Sequence, residues 1–122
     1  MLKCSQSTES YEKKQEGVPM GLFSFLKQDS MTTIISKREA NSILVDVREQ
    51  DEYKAGHIPG AVNYPLSALD KTELHWPKDA VLYVYCLAGT RSRKAVGYLQ
   101  SQGYTNVKNI GGIHAYRGSL EK

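Results

Sequence analysis

Ala80-Val81-Leu82-Tyr83-Val84-Tyr85-Cys86-Leu87-Ala88-Gly89-Thr90-Arg91-Ser92 is the stretch on which the fold turns. Its first six residues are aliphatic or aromatic and predict the strongest strand of the chain, with Cys86 at its C-terminal tip. Beyond the small residues of the loop, Ser92–Gln102 predicts a helix. Ala95, Val96, Tyr98 and Leu99 recur at helical spacing, and Gly103 supplies the stop. Cys86 therefore stands in a strand-to-helix loop.

Outward from that loop, short aliphatic runs alternate with polar, helix-compatible stretches, the pattern of a parallel sheet covered by helices. Thr32–Ile35 reads as a first strand, and Ser36 with Glu39 as a capping box opening a short helix through Ala40. Ile43-Leu44-Val45-Asp46 is apolar without alternation, as a strand buried on both faces should be, and ends at Asp46. Further expectations are a helix over Glu49–Lys54 stopped by Gly56, a strand over Ala61–Tyr64, and a helix over Ser67–Leu74. A last strand, Val107–Ile110, leads through Gly111-Gly112 to a short helix around Ile113–Arg117.

Four residues separate Cys86 from Arg91, and the helix follows at once. Peptide N–H groups of so tight a loop can converge on the sulfur. They would act with the positive end of the helix and the Arg91 guanidinium to favour thiolate over thiol. Gly89 lets the backbone turn where a Cβ would obstruct it. The bland alternative is a buried cysteine acting as a small hydrophobe. The Gly, Thr, Arg and Ser beside it favour a nucleophile in an anion cradle, which would also stabilise a persulfide.

Several motifs in order resemble the rhodanese family: Leu44-Val45-Asp46-Val47-Arg48-Glu49, Glu52-Tyr53, Gly56-His57-Ile58-Pro59-Gly60-Ala61, Cys86-Leu87-Ala88-Gly89-Thr90-Arg91-Ser92, and Gly111-Gly112. They span roughly Thr32 to Gly118, with Tyr116 where the family often has Trp. The resemblance implies an α/β, three-layer fold with a five-stranded parallel sheet flanked by helices, and Cys86 as the catalytic residue. It implies a donor-binding loop of Leu87, Ala88, Gly89, Thr90, Arg91 and Ser92. Asp46 and Arg48 would support that loop from the neighbouring strand. Arg91 would hold the donor anion or orient the loop. Phosphatases of the same fold have a loop one residue longer, so the implied activity is sulfur transfer from thiosulfate or a similar anion to cyanide or a thiol. A persulfide carrier or interaction module in a protein sulfur relay, with little thiosulfate activity, is the alternative; the uncharged Leu87-Ala88 tip favours it.

The chain has 122 residues, 40% hydrophobic and 24% charged, enough for one domain. Residues 1–30 are neutral, with Lys3, Lys13, Lys14 and Lys27 against Glu9, Glu12, Glu16 and Asp29. The net charge of +3 thus belongs to residues 31–122, too small an excess for a nucleic-acid binder but suited to a small anion. Residues 1–30 read as a flexible tail, with apolar content for a short docked helix near 20–27. No apolar run approaches the ~20 residues of a membrane span. Cys4 and Cys86 make neither a disulfide framework nor a metal cluster, and the polar start is unlike a secretory signal, so the expected location is the cytoplasm. His75 and His114 are isolated, His57 reads as part of a structural turn, and neither metal nor cofactor is expected.

Overall fold

Leu82, Val84 and Cys86 pack on one side of the central strand, and Tyr83 and Tyr85 on the other, as the two-residue period of a strand requires. The computed structural model describes residues 30–122. Its strands are β1 (Ile43–Asp46), β2 (Val62–Asn63), β3 (Val81–Cys86) and β4 (Asn106–Gly112), all parallel in the order β2-β1-β3-β4. The helices are α1 (Met31–Lys37), α2 (Gln50–Ala55), α3 (Leu66–Leu69) and α4 (Thr90–Ser101), followed by a 3₁₀ turn at Ile113–Ala115.

On one face, Val45, Val47, Leu82, Val84 and Cys86 meet Leu69 of α3 and Ala95 and Leu99 of α4. On the other, Leu44, Tyr83 and Tyr85 meet Met31 of α1 and Ile58, with Ile34, Ile35 and Tyr53 partly buried against them. The sheet is thus the middle of three layers, an α/β arrangement with helices on both faces.

The expected first strand over Thr32–Ile35, which would have made five, is corrected to α1, and the sheet has four strands among the described residues. Ser30 Oγ accepts a hydrogen bond from the Thr33 N–H at 3.2 Å, capping the helix. Met31, Ile34 and Ile35 share one helical face and pack on the sheet. That burial and the cap override the β-branched content of the segment. The expected helix start at Ser36 fails for the same reason: Ser36 already lies within α1 and donates to Thr33 O at 2.8 Å. Glu39 instead accepts from the Tyr83 hydroxyl at 2.7 Å.

Other boundaries move by a residue or two, except in the helix expected through Leu74, which ends at Leu69. Past it the Lys71 and Thr72 amides bond to the carbonyls of Ala68 and Leu69, three residues back, which tightens the chain out of α-helix. Of the expected tail over residues 1–30, all but Ser30, which caps α1, lies outside the described residues, as does its helix near 20–27. No helix among the described residues is long and apolar enough to cross a membrane.

Because Ser30 holds α1 in place of a strand, Ser30→Ala should lower stability by about 1 kcal/mol in urea unfolding. An unchanged midpoint would show that the cap contributes nothing.

Candidate active site

β3 ends at Cys86, and the chain turns at Gly89 with φ of +102°, a left-handed conformation that glycine tolerates. That turn points the Gly89 N–H at Cys86 Sγ, 2.9 Å away. α4 begins at the next residue, so the positive end of a 12-residue helix also faces the sulfur. Ser92, in the helix's first turn and 0% exposed, places Oγ 3.4 Å from Sγ.

Cys86 is 1% exposed. Burial, the largest single influence, pushes its thiol pKa up, but hydrogen bonds from the Ser92 side chain and from the amides of Ser92, Gly89 and Ala88 together bring it below the ordinary thiol value. The site therefore eases ionisation of a thiol that is almost fully covered. Around it, Leu87, Ala88 and Thr90 are exposed, with Gly89 and Arg91 half-buried.

Arg91 forms a forked pair with Glu52 of α2. Nη1 donates to Oε1 at 2.7 Å and Nη2 to Oε2 at 3.0 Å. The pair holds the Glu52 carboxyl well below its usual range, at about 2, chiefly through the Arg91 hydrogen bonds. Arg91 thus anchors the first turn of α4 to α2.

Asp46 and Arg48 do not reach the cysteine loop. Asp46 is the residue after Val45 and before Val47, both of which pack on the Cys86 side, so its carboxylate emerges on the opposite face. There it accepts from Arg48 Nε at 3.1 Å and Nη2 at 2.8 Å, while Nη2 also donates to Gly56 O at 2.7 Å. The pair is buried and braces the turn after α2. Tyr85 joins it, its hydroxyl accepting from the Ile58 N–H at 3.1 Å. His57 belongs to the same turn, stacked on Tyr53 at 3.8 Å and with Nδ1 2.9 Å from Tyr53 O.

Two residues beside the loop carried no sequence signal for that role. Glu52 belongs to the Glu52-Tyr53 motif, but nothing local to it names Arg91 as its partner. Asn109 of β4 places Oδ1 2.8 Å from Ser92 Oγ. The backbone of β4 also abuts the loop, since a Cβ on Gly112 would lie 2.6 Å from Ala88 Cα.

The family profile described as the rhodanese-like domain matches residues 30–119. This chain belongs to the rhodanese-like family. It is 38% identical over 71 residues to the thiosulfate sulfurtransferase PspE of Escherichia coli, covering 57% of this chain and 68% of that protein. It is 40% identical over 80 residues to the adenylyltransferase and sulfurtransferase uba4 of Ogataea parapolymorpha; the match covers 64% of this chain but only 21% of that protein. Among solved structures, a rhodanese-like domain protein from Staphylococcus aureus superposes with a TM-score of 0.66 at 31% identity, covering 75% of this chain and 92% of that one.

The Glu52–Arg91 pair has a defined pH signature. The folded carboxyl titrates near 2 against an ordinary 4.5, so its stabilisation is complete above about pH 4.5 and is lost as pH falls toward 2. The stability difference between wild type and Glu52→Gln should be flat from pH 7 to 5 and shrink below that. Urea unfolding at pH 7, 5, 4 and 3 measures it, and a difference independent of pH would contradict the pairing.

Proposed function

We propose that this protein is a sulfurtransferase in which Cys86 carries sulfur as a persulfide, taking it from thiosulfate or a similar donor and passing it to cyanide or a thiol. The observation carrying this reading is the Gly89 N–H held 2.9 Å from a buried Sγ at the mouth of α4. The Cys86 thiolate attacks the outer sulfur of thiosulfate; the sulfur–sulfur bond breaks and sulfite leaves with the bonding pair. An acceptor nucleophile then takes the outer sulfur, forming thiocyanate where it is cyanide, and the electron pair returns to Cys86. The amides of Leu87 to Ser92 stabilise sulfur anions in both steps, and Arg91 sets the loop's position through Glu52. The four-residue spacing of Cys86 and Arg91 supports sulfur over phosphate chemistry. Dependence on a free thiolate suits a reducing compartment such as the cytoplasm.

A second reading, a persulfide carrier serving protein partners, draws on the same pair. With Arg91 neutralised by Glu52 and Leu87 exposed at 38%, the loop presents an apolar tip rather than a free cation to the donor. A doubly charged donor gains little from such a site, whereas a persulfide on a protein gains contact area.

Intact mass after thiosulfate treatment should rise by about 32 Da, one sulfur atom. Cyanide should remove the increment with release of thiocyanate, and Cys86→Ser should show neither. An adduct retained in Cys86→Ser would remove Cys86 from the mechanism. Glu52→Gln distinguishes the two readings. If the pair masks Arg91, thiosulfate kcat/KM rises several-fold in the variant at low salt, and the gain fades as salt screens it. An unchanged or lower value would show that Arg91 serves the anion only from its paired position.

A further inference from the structure

β4 meets β3 with a shift in register: Val84 pairs with Asn109, but Tyr85 pairs with Gly111, leaving Ile110 as the extra residue. Such a bulge re-aims the side chains beside it. Here Asn109 Oδ1 accepts from the Gly111 N–H at 2.9 Å and also meets Ser92 Oγ at 2.8 Å. Since an amide N–H can only donate, the Gly111 contact fixes which end of the Asn109 amide is oxygen. Nδ2 is left facing Gly89 O at 3.5 Å.

Ser92 has one hydroxyl proton and three acceptors around it: Asn109 Oδ1 at 2.8 Å, Gly89 O at 3.0 Å and Cys86 Sγ at 3.4 Å. With Cys86 as a thiol, every bond runs one way: S–H donates to Ser92 Oγ and the Ser92 hydroxyl donates to Asn109. Once Cys86 has lost its proton, the sulfur becomes an acceptor, and Ser92 can serve it only by turning away from Asn109. We propose that Asn109 is a positioning residue that competes with Cys86 for the Ser92 proton and thereby limits the fraction of Cys86 present as thiolate. The inference rests on Cys86 being the reactive cysteine, but its test reads ionisation of the thiol and not sulfur transfer.

The other charges near Cys86 come from Arg91 of α4, Glu52 of α2, which pairs with it, and Glu49 beside them. Lys108 of β4 faces the groove lined by Ile34 and Tyr83, on the α1 side of the sheet, and Asp46 lies on that side too, paired to Arg48. None of these bonds to Ser92 or Asn109, so substitutions at Asn109 leave them in place.

The test is the pH dependence of Cys86 alkylation by iodoacetamide, in the full chain with Cys4→Ser throughout. Asn109→Ala should move the midpoint down by about half a unit or more, the worth of one neutral hydrogen bond. The same substitution in a Ser92→Ala background should leave the midpoint where Ser92→Ala alone puts it. Asn109→Asp keeps the acceptor for Gly111 and adds charge, so it should move the midpoint up, and by more with Ser92 present than without. No shift, an upward shift for Asn109→Ala, or equal shifts in both backgrounds would overturn the proposal. Should Asn109→Ala fail to fold, the Asn109→Asp pair decides alone: an upward shift that shrinks without Ser92 supports it, and equal shifts refute it.

Discussion

To ionise with almost no contact with water, the Cys86 sulfur depends on dipoles that replace the solvent it has lost. Around Cys86 these are peptide groups, and their aim is fixed by backbone geometry. β3 has to end at the sulfur, the chain has to turn through a left-handed residue at Gly89, and α4 has to start immediately, with its axis held by Ala95 and Leu99 against the sheet. Displacement of any one of these would move the Gly89 N–H off Sγ. The hydrophobic layer under α4 is therefore part of the electrostatics of the site, because it holds the helix whose first amides face the sulfur.

The two faces of the sheet divide the ionic work. Asp46 and Arg48 are sealed on the α2 side, where their charges offset each other and the Gly56 carbonyl takes up a further Nη2 N–H. Such a buried pair holds a turn in shape more than it adds stability. Glu52 leaves that same side and reaches Arg91 at the loop, linking α2 to α4 over the ends of the strands. As a result, the positive character of the cradle comes from amides and the helix terminus rather than from a free guanidinium.

How far the sequence carried follows from the same physics. The strand into Cys86, the glycine turn and the helix after it were legible because each has a local cause: an apolar run, a residue without Cβ, and a 3.6-residue period. α1 is hidden in the sequence because Thr32, Thr33, Ile34 and Ile35 have β-branched side chains, while the decisive features, the Ser30 cap and the burial of Met31, belong to the start of the segment. Strand parity keeps Asp46 and Arg48 from the loop-supporting place that the resemblance implies. An even residue between Val45 and Val47 cannot face the same way as they do. Glu52 and Asn109 were beyond reach for a different reason. Their partners lie 39 and 17 residues away, too far along the chain for any local pattern to mark the contact.

That slip also governs how closely β4 can approach the loop. In an unbroken ladder Tyr85 would face Ile110 and Cys86 would face Gly111. With one residue set aside, Gly111 and Gly112 fall opposite Tyr85 and Cys86, and the strand comes into backbone contact with Ala88. Gly111 adopts a φ of +101°, and its amide is held by Asn109 Oδ1. The bulge, the glycine pair and the asparagine thus act as one unit. The glycines make room for a tight loop, and the asparagine uses the same geometry to reach the serine beside the sulfur. A larger residue at position 112 would press on the loop from below. A different residue at 109 would change what Ser92 can offer the sulfur, so a single strand bears on the shape of the cradle through Gly112 and on the ionisation of Cys86 through Asn109.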